Sequence, residues 1–221
     1  MELQNSFDNG TDGVEITVAN SATSGDAFSI EDLQAAFYDA EAFAGPLGAA
    51  LLPFPDSGTV GWRLVGQSAA NVYLRVLAWI PAASDGWSSL CIVSVTAEIA
   101  YIGMEAGVLN LITTNDGTVP FAAVPPRDAW FRVELGINAG QVEARYFVDP
   151  TASVPTEIEQ GTWTGPVFND VLWQNDSSDA LLHLDQVGFR DTDWWGPLSA
   201  PVVTLGGNRM GEIGAIRKPP R

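Results

Sequence analysis

Apolar and polar positions alternate with period two along most of this chain, and clusters of turn residues interrupt the alternation at short intervals. The clearest case surrounds Asn138-Ala139-Gly140. Before it, Phe131, Val133, Leu135 and Ile137 alternate with Arg132, Glu134 and Gly136; after it, Val142, Ala144, Tyr146 and Val148 alternate with Glu143, Arg145 and Phe147. Such a pattern predicts two antiparallel strands joined by a tight turn, with one apolar and one charged face. Arg132, Glu134, Glu143 and Arg145 read as a solvated face whose opposed charges meet across the pair. The same period marks residues 59–65, 71–80, 89–96, 97–104, 108–113, 171–174 and 181–189 as strands. In residues 71–80, Val72, Leu74, Val76 and Ala78 share one face, and Tyr73, Arg75, Leu77 and Trp79 the other. An arginine among aromatics belongs on the outside of a sandwich or in a cation–π stack with Tyr73 or Trp79. Val14-Glu15-Ile16-Thr17-Val18 alternates as a further strand.

Three stretches read less simply. In residues 28–43, Ser29 followed by Glu31 and Asp32 can cap a helix, whereas Leu33, Ala35 and Phe37 can line one face of a strand; propensity alone leans to helix. Residues 45–58 hold Pro46, Pro53 and Pro55 and read as irregular or edge-like, because proline removes a ladder donor. Residues 149–160 read as a loop. The whole gives about ten to twelve short strands and at most one helix, the pattern of an all-β antiparallel sandwich or barrel. The body spans residues 1–197. Residues 198–221 differ: Arg209, Arg217, Lys218 and Arg221 stand against Glu212 alone, among glycines and prolines. They form either a solvated tail or a basic arm that docks on an acidic neighbour.

Composition narrows the function. Acidic residues outnumber basic ones 27 to 10, for a net charge of −17. Phosphates are repelled by such a body, which argues against nonspecific binding to nucleic acid and against anionic membrane surfaces as partners. The start has no basic and apolar signal-peptide pattern, and no apolar run reaches membrane-spanning length. Cys91, the one cysteine, lies in Leu90-Cys91-Ile92-Val93 and reads as a small buried hydrophobe.

Little catalytic chemistry is visible, and the chain reads as a non-enzyme that needs no cofactor. His183 is the only histidine, with Asp185 on the same strand face to orient it. Phosphate loops, Cys/His metal spacings and nucleophile elbows are absent from the sequence. Glu134 and Glu143 lie on paired strands, but a neighbouring arginine favours the ionised form of each, so neither reads as a general acid. Calcium is the metal that the acidic turns allow, through Asp8, Asp12, Asp176, Asp179, Asp185, Asp191 and Asp193. Their spacing names no ligand set. Aromatics carry the remaining signal. Trp87, Trp163 and Trp173 fall in or near loops and are the candidate contacts for a glycan or a partner. Trp194 and Trp195 follow the last strand and read as a plug at the boundary of the body.

Several stretches, in order, resemble one family. They are Asn5-Ser6-Phe7-Asp8-Asn9-Gly10-Thr11-Asp12-Gly13, residues 20–29, residues 58–62, Trp130-Phe131-Arg132-Val133-Glu134-Leu135, Val142-Glu143-Ala144-Arg145-Tyr146, Leu184-Asp185-Gln186-Val187 and Asp193-Trp194-Trp195-Gly196-Pro197. Together they resemble, over residues 5–197, the concanavalin A-like (laminin-G-like) jelly-roll domains of minor tail proteins of actinobacterial phages. The resemblance implies a jelly-roll β-sandwich with adjacent first and last strands, and it tips residues 28–43 toward strand. It implies a virion component of the tail or tail tip, or a capsid decoration protein. Its partners would be other virion proteins, further copies of itself and host-surface glycans. The acid-rich strand motif of glucanases with this fold is missing, and no catalytic or cation-ligand set carries over.

Overall fold

Antiparallel pairing organises the chain into two sheets. The computed structural model describes residues 1–31, 35–82, 88–95, 98–177 and 180–198. The front sheet runs, in spatial order, β13 (Glu157–Thr162), β12 (Gln141–Phe147), β11 (Trp130–Asn138), β6 (Asn71–Trp79), β15 (Leu182–Arg190), β4 (Gly48–Leu51) and β3 (Ala36–Asp39), with β1 (Glu2–Asn5) also on β15. The back sheet runs β10 (Gly117–Pro120), β9 (Val108–Thr113), β8 (Glu98–Glu105), β7 (Ser88–Val95), β14 (Val167–Gln174), β5 (Thr59–Ser68) and β2 (Ile30–Glu31). Strand order departs repeatedly from chain order, as crossing between two stacked sheets requires. The fold is an antiparallel jelly-roll β-sandwich.

The core lies between the sheets and is built from the predicted apolar sets. Val72, Leu74, Val76 and Ala78 face Cys91, Val93, Ile102 and Met104 in one continuous cluster, with Phe131, Val133, Leu135, Val142 and Ala144 beside them. Burial raises the Cys91 thiol far above its usual range. The turn at Ala139 and Gly140 carries positive φ at both residues, 50° and 86°, which matches the twist of the hairpin β11–β12.

Four expectations are corrected. Residues 14–18 do not form a ladder strand: Glu15 makes an isolated bridge to Phe37, and Thr17 caps a single-turn helix α1 (Val18–Ser21) through a reciprocal bond with Asn20. The proline-rich 45–58 stretch contains β4, whose four residues are all buried between β15 and β3. Its small side chains show no alternation because both faces are covered. Strand β13 lies in what read as loop, since its alternation of Ile158 and Glu159 sits at an open edge. The charged face of β11–β12 is not uniformly solvated. Arg132 and Glu134 are 1% and 0% exposed. Residues 30–31 and 36–39 are strands, so the helix alternative for 28–43 fails in its described part.

Candidate functional site

The outward face of the front sheet carries the unusual chemistry. Register places Glu134 of β11 directly between Arg145 of β12 and Arg75 of β6. Arg132, two residues back on the same face, approaches Glu134 at 3.2 Å. Burial outweighs these arginines and pushes the Glu134 carboxyl up to about 7. Burial also lowers Arg75, to about 10. The expectation that neighbouring arginines hold Glu134 low is therefore wrong: desolvation is the larger effect. Glu134 is nonetheless sealed from solvent and cannot meet a substrate with Glu143.

Each arginine also faces an aromatic ring. Arg132 lies 3.7 Å from the Phe147 ring and donates to the carbonyls of Pro150 and Ala152, which draws residues 147–152 over the sheet. Arg145 lies 3.6 Å from the Trp194 ring, while Arg75 and Arg190 lie 4.2 and 4.0 Å from that of Trp195. The cation–π partner of Arg75 is thus neither Tyr73 nor Trp79.

Residues 191–198 form a strap that returns across this face. Two strand glycines receive it. A Cβ on Gly136 would sit 2.5 Å from the Trp194 ring, and one on Gly188 2.5 Å from that of Trp195. Glycine inside a strand weakens it and marks a close approach; here the approaching groups are indoles. Trp195 is 7% exposed and donates to the Tyr73 carbonyl at 3.4 Å. Trp194 is half-buried, with Tyr73 edge-on at 5.0 Å.

Beside Trp194 opens a groove of about 320 Å³, lined by Gly136, Asn138, Ala139, Gln141, Glu143 and Trp194. That volume lies at the lower end of ligand pockets. Arg145 neutralises Glu143 at 2.6 Å, and Gln160 reaches the other Glu143 oxygen at 3.4 Å. Asn138 donates to the Tyr73 hydroxyl at 3.3 Å. An indole wall with amides and a paired carboxylate can stack on an apolar ring face while exchanging hydrogen bonds with polar substituents.

The other end of the face holds His183, edge-on to Trp79 at 4.9 Å, with Asp39 at 3.5 Å from Nδ1. Burial lowers the His183 pKa, against the pull of Asp39 and Glu41. Asp185 does not orient His183. It accepts from the backbone N–H groups of Phe43, Ala44 and Gln186, and burial raises it to about 7. Among the described residues, no group of three or more His, Cys, Asp or Glu is placed to hold a metal.

The sequence candidates divide. Trp173 is fully buried, edge-on to Trp62, and Trp163 is 3% exposed, bonded to the Gly165 carbonyl. Neither presents a ring to a ligand, because each closes the core rather than a loop. Trp87 and the arm residues Arg209, Arg217, Lys218 and Arg221 lie outside the described residues. Trp194, read as a boundary plug, instead lines the groove. Gly136 and Gly188, interrupting strands on the charged face, were the signal that a bulky group docks there.

No family model matches the sequence, and no curated protein does. Solved structures do. The binding domain of botulinum neurotoxin serotype G aligns at a TM-score of 0.55 and 11% identity, over 90% of this chain and 48% of that one. The receptor-binding domain of a botulinum neurotoxin C/D mosaic aligns at 0.50 and 10% identity, over 71% of this chain and 41% of that one. The chain thus spans under half the length of these neighbours. The likeness shows the fold alone: a β-sandwich.

Proposed function

We propose that this protein is a non-catalytic binding module that contacts carbohydrate through the groove beside Trp194, within a phage virion. The observation that carries the carbohydrate reading is the pairing of a half-buried indole with Asn138, Gln141 and an arginine-neutralised Glu143 around a 320 Å³ groove. Sugars offer an apolar ring face and a hydroxyl rim, which this lining matches. Glu134 and Asp185, the carboxyls that burial raises to about 7, are both 0% exposed, so they support packing rather than acid catalysis. The virion setting, in a tail tip or on a capsid, is supported by the ordered motifs of residues 5–197.

A glycan array run with and without calcium tests the reading. Wild-type protein is expected to bind at least one cell-wall polysaccharide class, and Trp194→Ala to lose that binding by tenfold or more. Absence of binding to every glycan removes the carbohydrate role. Electron microscopy of labelled particles tests the virion setting separately; a protein absent from purified particles overturns it.

A further inference from the structure

We infer that Trp195, which does not line the groove, is the residue that positions Trp194 within it. The inference rests on the groove being the binding site. Thr192, Asp193, Gly196 and Pro197 of the strap are exposed, so they contribute little burial. Trp195 is held on several sides at once. Its ring lies between Arg75 and Arg190, over the gap left by Gly188, with its indole N–H on the Tyr73 carbonyl. Tyr73 also packs edge-on against Trp194, so one residue of β6 touches both indoles. Trp194 has fewer restraints: Arg145, Tyr73 and the Gly136 gap, with part of its surface open. A buried indole contributes far more apolar contact than a half-exposed one. The strap is therefore fastened at Trp195, and the neighbouring Trp194 takes its place as the groove wall because the next residue is fixed.

Loss of Trp195 then acts on the ligand through Trp194. The test uses protein carrying 5-fluorotryptophan, with the Trp194 fluorine resonance assigned from Trp194→Phe. Chitohexaose and the array-positive polysaccharide serve as probes. In Trp195→Ala, the Trp194 resonance is expected to move to the solvent-exposed position and narrow, and affinity for the probe to fall tenfold or more. Trp195→Phe is expected to restore both. Gly188→Ala keeps both indoles but fills the gap, and it should give the same signature even where Trp195→Ala lowers folding yield. A Trp194 resonance that stays dispersed and shielded in folded Trp195→Ala and Gly188→Ala overturns the inference, whatever the probes do. If Trp194 is freed in both variants but wild-type protein binds no glycan, the carbohydrate reading falls and the positioning role of Trp195 stands.

Discussion

Two ion pairs of nearly equal length sit on the outward faces of the two sheets. On the back sheet, Arg63 and Asp170 approach at 3.1 Å with side chains 62% and 24% exposed. On the front sheet, Arg132 and Glu134 approach at 3.2 Å and are 1% and 0% exposed. The separations are alike; the cover differs. Loops 40–46 and 147–152 and the strap close over the front face, whereas Arg63 remains in water. An exposed pair is worth roughly 0–1 kcal/mol. A buried pair is net weak, but removing one partner strands the other and costs several times more. The front face is organised to hold covering segments in place, and its charges are the fastenings.

The largest effect is expected at Arg132. Arg132→Ala leaves Glu134 short of its nearest cation and the carbonyls of Pro150 and Ala152 without their donor. At pH 8, where Glu134 is ionised, a loss of about 3–5 kcal/mol in urea unfolding is expected. A loss below 1 kcal/mol would make the two faces equivalent.

Next comes pH. Folded Glu134 and Asp185 keep protons up to about 7 that the unfolded chain has already released. Their contribution to stability therefore falls as pH rises from the ordinary carboxylate range through 7. His183 opposes them: its lowered pKa makes the folded state lose stability as pH falls below the ordinary imidazole value. Glu134→Gln isolates the first effect. Relative to wild type it should gain roughly 1–3 kcal/mol between pH 5 and pH 8 in urea unfolding. A gain in the opposite direction would show that the arginines, not burial, dominate Glu134.

Gly136→Ala sharpens the role of the strap. Its Cβ meets the Trp194 ring at 2.5 Å, so the indole must lift. We expect a loss of about 1–3 kcal/mol, measured by thermal unfolding, together with loss of groove binding. Asp170→Ala on the back sheet is the smallest change, below ~1 kcal/mol.

How much of this was legible follows from what alternation records. The hairpin β11–β12 and its core face were readable because Val133, Leu135, Val142 and Ala144 alternate with polar residues. Strand β4 was hidden, since Gly48, Ala49, Ala50 and Leu51 are buried on both faces and do not alternate. The candidate site was read in part. Sequence placed Arg132, Glu134, Glu143 and Arg145 on one face correctly but left that face in water, and it did not join Arg75 to them, because nothing local says that β6 pairs with β11 or that residues 191–198 fold back over β6. That return depends on contacts such as Trp195 with Tyr73, separated by 122 positions. The tryptophans were weighed by loop proximity, which measures distance along the chain and not depth in the core. Trp173 is the second-last residue of β14, close to a loop, and is nevertheless buried.

The pairing of β1 with β15 has a mechanical consequence. Glu2 lies opposite Arg190, Asn5 opposite Val187, and the Met1 amino group meets Asp191. Tension between residue 1 and residue 198 acts on the same end of an antiparallel pair. It would peel the rungs one after another rather than shear them together. Before β15 feels a pull from beyond residue 198, Trp195 must leave its seat between Arg75 and Arg190. The strap is the first element to yield, so force from that side would dismantle the groove while the sandwich stays intact.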